Sequence, residues 1–324
     1  MGDIERAELH GAVVGGRYRL GRPLGIGGTS VVFEAERLSD GAPVVVKMLR
    51  DAFAFHAELA RRLRREAEVA RVVAHPGIVT VLDEGTLDDG SPFLVLERLS
   101  GECVARLLHR HGPLPPHYVA AITIRAAAIL HAAHAHGYVH RDIKPEHVVL
   151  DRTSDGHLDV RLLDFGVCAS SRASEEEREA ERGRVYGTPA YVSPEQAGGK
   201  PEVDARADVF SLGTFMFEAL TGRPPFTGPN VANVLRRIIR EDAPRVGLLL
   251  PDLDLRFDDV VSRAMARRPE DRFPSARSLA RALLPLAGDR RRTEAEIARL
   301  VRSRRPLPEL ADTLVDPQQQ LAVA

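Results

Sequence analysis

The sequence predicts an α+β fold in two lobes, a β-rich lobe first and a mostly helical one after it. The first hundred residues alternate short β-prone runs with glycine and Asp-Gly turns, and only one helical period interrupts them. After Ser100-Gly101 the pattern becomes helical. The chain has 324 residues, of which 44% are apolar and 28% charged, which is enough apolar material for a substantial core and unlike a disordered polymer.

The β-prone runs are residues 18–24, 30–37 and 42–49, separated by the glycines of 25–28 and by Asp40-Gly41. A helix is expected over about 55–73, with an apolar stripe of Phe55, Leu59, Leu63, Ala67 and Ala70 close to a 3.6-residue period. Two further strands, near 79–83 and 93–97, flank the turn Asp88-Asp89-Gly90. The later helices are expected over 116–136, 205–220, 231–240, 257–266 and 275–284. From Asp289 the chain turns basic, with Arg290-Arg291-Arg292 and then the arginines of 302–305, read as a solvated helix face rather than a nucleic-acid site. The end, rich in Pro, Gln and Ala, reads as disordered. The expected organisation is an extension over 1–15, a first lobe over about 16–97, a connection over 97–101, a second lobe over 102–287 and a tail over 288–324.

A net charge of −1 provides no field directed at nucleic acid or at an anionic membrane. Only Lys47, Lys144 and Lys200 are lysines; arginine supplies the other basic residues, as a GC-rich genome would favour. Cys103 and Cys168 cannot make a metal framework and read as reduced thiols. The start, Met1-Gly2-Asp3-Ile4-Glu5, is charged and lacks an apolar leader, and the richest apolar stretch, 120–130, is interrupted by Arg125. A soluble, cytoplasmic protein without a membrane span is expected.

The run Gly25-Ile26-Gly27-Gly28-Thr29-Ser30-Val31-Val32 lies between two strands. Glycines let a backbone approach phosphates and offer them N–H groups, but a glycine-rich hairpin turn fits the same residues. A strand after the loop, where a dinucleotide fingerprint needs a helix, disfavours a Rossmann site. Lys47 follows three valines on a strand, and Glu66 falls on the apolar stripe of the helix. A carboxylate facing a core needs a partner, and Lys47 is the only lysine in this half of the chain; a solvated Glu66 and a rim Lys47 remain the alternative.

The segment His140-Arg141-Asp142-Ile143-Lys144-Pro145-Glu146-His147 is followed by Leu162-Leu163-Asp164-Phe165-Gly166. Phosphoryl transfer needs a group that orients and deprotonates the attacking hydroxyl and a carboxylate that holds a divalent metal on the phosphates. Asp142 and Asp164 fit these two roles, and Lys144 can neutralise the moving phosphoryl group.

These strings together resemble the eukaryotic-like (Hanks-type) serine/threonine protein kinases of bacteria, over roughly residues 18–287. The resemblance implies the bilobal protein-kinase-like fold and ATP:protein phosphotransfer. It implies a glycine loop over ATP formed by Gly25, Ile26, Gly27, Gly28, Thr29, Ser30 and Val32, with Ser30 in place of the usual third glycine. Lys47 becomes the ATP-pairing lysine and Glu66 its partner. Val45, Leu96, Glu97, Leu99 and Val149 complete the ATP-binding set, with Leu96 guarding the adenine pocket. Gly187-Thr188-Pro189-Ala190-Tyr191-Val192-Ser193-Pro194-Glu195 matches the end of the activation segment, a platform for peptide substrates. Asp208 matches the buried acid that ties down the catalytic loop, and Arg272 the arginine that pairs with Glu195. Lys144 and Thr188 mark the serine/threonine type. ATP and Mg²⁺ are the implied cofactors, and protein substrates the implied partners. A homodimer is compatible with the resemblance, although no apolar patch in the sequence demands one.

His147 stands where the family has an asparagine whose amide oxygen binds the second Mg²⁺. Imidazole suits softer ions better, so Mn²⁺ becomes an alternative. His147 either packs and hydrogen-bonds to Asp142 or retunes the second metal position. Arg141, beside Asp142, suggests pairing with a phosphate on Ser170, Ser171 or Ser174, while Glu175-Glu176-Glu177 could supply fixed charge or form a solvated loop. Thr313, three residues before Asp316, resembles the phosphothreonine pattern read by forkhead-associated domains. Two functions compete: a serine/threonine kinase, and a pseudokinase scaffold supported by His147 alone.

Overall fold

The computed structural model describes residues 9–153, 156–171 and 173–301, in two compact units that divide between Ser100 and Gly101. The first unit contains β1 (Val13–Val14), β2 (Tyr18–Ile26), β3 (Ser30–Arg37), β4 (Pro43–Leu49), α1 (Ala57–Val73), β5 (Val81–Thr86) and β6 (Pro92–Glu97). The strands form one antiparallel sheet in the order β1-β2-β3-β4-β6-β5. The predicted strands are all present: β3 has its predicted bounds, and the others differ from theirs by one to three residues at one or both ends.

Period-two alternation builds this sheet's core. Val44, Val46 and Met48 of β4 join Val31, Phe33, Phe93 and Val95 on one face. The intervening residues of β4 lie on the other face, which α1 covers: Leu63 and Ala67 pack on Leu94, with Val81 and Leu96 beside them. The N-terminal stretch is tied to the sheet, since Val14 pairs with Tyr18 across a turn in which Gly15 and Gly16 take positive φ. Phe55 does not extend the apolar stripe: His56 is extended, the helix begins at Ala57, and Phe55 is 81% exposed.

The second unit runs through β7 (Glu102–Cys103), α2 (Val104–His111), α3 (Pro116–Ala135), β8 (Tyr138–Val139), β9 (Val148–Arg152), β10 (Leu158–Leu162) and β11 (Ala169–Ser170). It continues through α4 (Glu175–Glu181), α5 (Pro194–Ala197), α6 (Arg206–Thr221), α7 (Val231–Arg240), α8 (Leu255–Ala264), α9 (Ala276–Leu283) and α10 (Arg290–Leu300). Its small sheets have the orders β10-β9-β7 and β11-β8. Helix α3 is long and apolar enough to cross a membrane by composition, yet it is a core helix, packed on α6, α9 and α10. The residue that interrupts it explains one of these contacts: Arg125 donates to Glu294 of α10 at 2.7 Å. Arg110 of α2 grips buried Glu102 with two bonds and also donates to the Leu300 carbonyl. Arg290, Arg291 and Arg292 of α10 are exposed. The arginines of 302–305, Thr313 and Asp316 lie outside the described residues.

Candidate active site

In the first unit, strand register determines which side chains share a face. Lys47 pairs with Val32 on β3 and with Leu94 on β6, and Val45 pairs with Leu96. Val32, Val45, Lys47 and Leu96 therefore share the face that α1 covers. Glu66 is on the buried side of α1 and accepts from Lys47 Nζ at 2.7 Å, with both side chains about one-tenth exposed. The expected pair is formed, so neither charge is buried without a counter-charge. Glu97 accepts from the Thr80 N–H at 2.7 Å, and Leu99 is half-buried.

The glycine loop is a hairpin closed by Gly27 N–H to the Ser30 carbonyl at 2.8 Å. Arg50 donates to the Gly28 carbonyl, and its own N–H to that of Thr29. A Cβ on Gly25 would meet nothing, and Gly25 and Gly27 keep ordinary φ values, so the hairpin itself does not require glycine at either place. Open space over backbone N–H groups is what a bound phosphate needs.

In the second unit, the loop after β8 is held from beneath by Asp208 of α6, which is fully buried. Its Oδ2 accepts from the His140 N–H and from His134 Nε2, and its Oδ1 from the Arg141 N–H, each at 2.8 Å. Burial alone would raise its pKa, but the bond from His134 and the positive field around it outweigh burial and hold the carboxyl below its ordinary value. Arg141, next to Asp142, adopts a left-handed backbone with φ 67°, and Asp164 itself does so with φ 62°, a conformation disfavoured outside glycine.

The Asp142 carboxylate is buried and well supported. Its Oδ1 accepts from the Thr188 N–H at 2.7 Å, and Lys144 Nζ lies 3.4 Å from Oδ2. Burial would push its pKa up, yet Lys144, His147 and the Thr188 bond together lower it. Lys144 also donates to Thr188 Oγ1 at 2.6 Å, so the catalytic loop and the end of the activation segment are joined by two bonds. His147 Nδ1 donates to the Asp142 carbonyl at 2.8 Å and sits 3.4 Å from its Oδ2, while Nε2 lies 3.8 Å from Asp164 Oδ2. The Leu163 N–H donates to the His147 carbonyl, fixing the strand end that carries Asp164. Val149, on β9, is buried and pairs with Arg161 and Cys103.

The activation segment differs from expectation. The charged run forms a helix, α4, and its last residue, Glu181, takes the Arg141 guanidinium in a two-pronged pair at 2.7 and 3.1 Å. Glu175 and Glu176 are exposed, and the carboxylate that meets Arg141 is that of Glu181. Glu181 was not legible in advance because nothing local distinguishes it from its acidic neighbours. Gln196 was also missed: it is buried and donates to the carbonyls of Arg141 and Tyr186 at 2.9 and 3.0 Å. Tyr191, also in this segment, donates to Glu218 of α6 at 2.5 Å. Arg272 and Glu195 form the expected pair, fully buried, with two bonds of 2.8 Å.

In the first unit, Lys47 and the N–H groups of the glycine loop are donors of the kind that suits phosphate oxygens; in the second, Asp164 and the His147 imidazole present an oxygen and a nitrogen 3.8 Å apart. A family model described as Protein kinase domain matches residues 18–300. A probable serine/threonine-protein kinase of Corynebacterium efficiens is 36% identical over 95% of this chain and 46% of its own length. The serine/threonine-protein kinase PknB of Mycobacterium tuberculosis is 37% identical over 80% of this chain and 41% of its own. The chain thus spans less than half the length of these relatives. The crystal structure of the Mycobacterium tuberculosis PknI kinase domain superposes with a TM-score of 0.66 at 31% identity, covering 86% of this chain and 99% of that one.

Proposed function

The chain belongs to the protein kinase family, in its bacterial Hanks-type serine/threonine branch, and on that premise we propose that it transfers the γ-phosphoryl group of ATP to serine or threonine hydroxyls of proteins. The observation that carries the proposal is the Asp142 carboxylate, kept ionised and bonded to the Thr188 N–H beside Lys144. As the substrate oxygen attacks the γ-phosphorus, the bond to the β–γ bridging oxygen breaks, ADP leaves, and Asp142 takes the hydroxyl proton. Lys144 offsets charge on the moving group, and Lys47, steadied by Glu66, orients the α- and β-phosphates. A divalent metal, when bound, neutralises the phosphate oxygens, and Asp164 and His147 are the side chains that would hold it.

We assign a preference for Mn²⁺ over Mg²⁺ at the second position, because His147 supplies a borderline nitrogen where the family uses an amide oxygen. The scaffold alternative has no support in the relatives described above, which are named as kinases. Purified protein incubated with labelled ATP and a generic basic protein, beside Asp142→Asn, tests the proposal. Label entering the substrate with wild type and not with the variant is the expected result. ATP binding without transfer under any metal would leave a scaffold instead.

A further inference from the structure

Arg141 is the residue through which a loop phosphate was expected to act, and its guanidinium is already engaged. The side chain is 5% exposed. Its Nε donates to the Val167 carbonyl at 2.7 Å, its two terminal nitrogens donate to Glu181, and its plane lies over the Tyr186 ring at 4.7 Å. Its main chain is engaged as well, donating to Asp208 and accepting from Gln196. A buried guanidinium needs an anionic partner, and a two-pronged carboxylate satisfies the same fork geometry that a phosphate would. Arg141 adjoins Asp142, and Val167 follows closely on Asp164, so the arginine is the joint between the base, the metal carboxylate and the activation segment.

We propose that Glu181 is a built-in substitute for the loop phosphate: a positioning residue that holds Arg141, and through it Asp142, so that phosphotransfer requires no phosphorylation of Ser170, Ser171 or Ser174. The inference rests on the kinase reading. Because Glu181 is carried by α4, whose residues at 175–181 are mostly charged, the latch is set by folding of the segment rather than by a second enzyme. A phosphoserine seeking Arg141 would have to displace a carboxylate already seated on both prongs.

The test uses the full chain, phosphatase-treated and shown by mass to carry no phosphate. It compares wild type, Ser170→Ala/Ser171→Ala/Ser174→Ala, Glu181→Asp, Glu181→Ala, and Glu181→Ala combined with Arg141→Ala. Wild type and the serine variant should turn over at the same rate before and after incubation with ATP. Glu181→Ala should lose roughly 10- to 100-fold in kcat with KM for ATP little changed, as expected when a base is misplaced by an ångström or so, and Glu181→Asp should lose less. Inorganic phosphate should restore part of the lost rate to Glu181→Ala and raise its unfolding midpoint saturably, and should do neither when Arg141 is also removed. A dephosphorylated wild type that is inactive until a loop serine is modified would overturn the inference, as would full activity in Glu181→Ala. If no protein transfers phosphate, the kinase reading fails by itself. The Arg141-dependent response of the unfolding midpoint to phosphate then decides whether Glu181 occupies an anion socket.

Discussion

The Nδ1–H of His147 bonds to the main-chain carbonyl of Asp142 at 2.8 Å, and this one bond decides what the ring offers to Asp164. With the proton held at Nδ1, the lone pair resides on Nε2, 3.8 Å from Asp164 Oδ2. Burial, and then the nearby Lys144, push the imidazole down to about 4, so the ring is neutral at physiological pH. In the metal role proposed for the two side chains, a neutral nitrogen beside a carboxylate would suit a borderline cation better than the all-oxygen set that Mg²⁺ favours.

His147→Asn should therefore raise Mg²⁺-supported turnover and lower the Mn²⁺:Mg²⁺ rate ratio. A change of roughly 10-fold in the ratio corresponds to about 1.4 kcal/mol of differential transition-state stabilisation. Steady-state rates across titrations of both metals check this. Superimposable titrations for the two proteins would show that the ring plays no part in metal choice.

The depressed pKa of His147 also predicts a pH dependence of stability in metal-free buffer. An unfolded histidine titrates near 6.5 and the folded one near 4, so between those values the unfolded chain binds more protons and stability falls as pH falls. The contribution is complete above about pH 6.5, and up to about 3 kcal/mol of it is lost by pH 4. Asp142 and Asp208, both held below their ordinary values, add stability that is present above the unfolded carboxylate pKa and lost only as pH drops through their lower folded values. Urea midpoints at pH 7 and pH 5 in EDTA should differ more for wild type than for His147→Asn. Equal differences would remove His147 as the cause.

Residues whose signal is periodic or whose spacing is characteristic were legible in the sequence. The stripe of α1 put Glu66 on a face where a carboxylate needs a partner and left Lys47, after three valines, as the candidate; a solvated Glu66 and a rim Lys47 fitted the same residues, and it is the strand register that brings the two together. Arg272 and Glu195 lie far apart in sequence, and only the family resemblance joined them. What escaped prediction has no period to show. Strands β7, β8 and β11 are two residues long, and α4 has almost no apolar side chain from which to read a stripe. Phe55 misled for the opposite reason, because its spacing suited the stripe while the chain around His56 was extended. His134, Glu181 and Gln196 are polar residues whose importance lies in partners that tertiary folding supplies.

Asp208→Asn should destabilise the second unit by about 2–4 kcal/mol, because an amide retains only one acceptor where the carboxylate accepts three bonds. The NH₂ group would face either the Arg141 N–H or the donors from His134 and His140. Urea unfolding with an unchanged m-value checks the prediction. A loss below about 0.5 kcal/mol, the usual range for an unremarkable surface change, would mean that the carboxylate is not the anchor its geometry implies.

Arg272 and Glu195 form a buried ion pair, with side chains 0% and 7% exposed. Removing one charge of a buried pair leaves the other without compensation, so Glu195→Leu and Arg272→Met should each cost about 3–5 kcal/mol. Replacing both, as Arg272→Met with Glu195→Leu, removes the orphaned charge and should cost clearly less than the sum of the two single changes. Recovery will stop short of wild type, because Arg272 also donates to the carbonyls of Ala266, Arg206 and Arg267, which methionine cannot satisfy. A double-mutant cycle in urea separates these contributions. A coupling energy above about 1 kcal/mol identifies the ion pair as what fastens the segment carrying Thr188 and Tyr191 to the helical core, whereas simple additivity would leave that task to the carbonyl bonds of Arg272 alone.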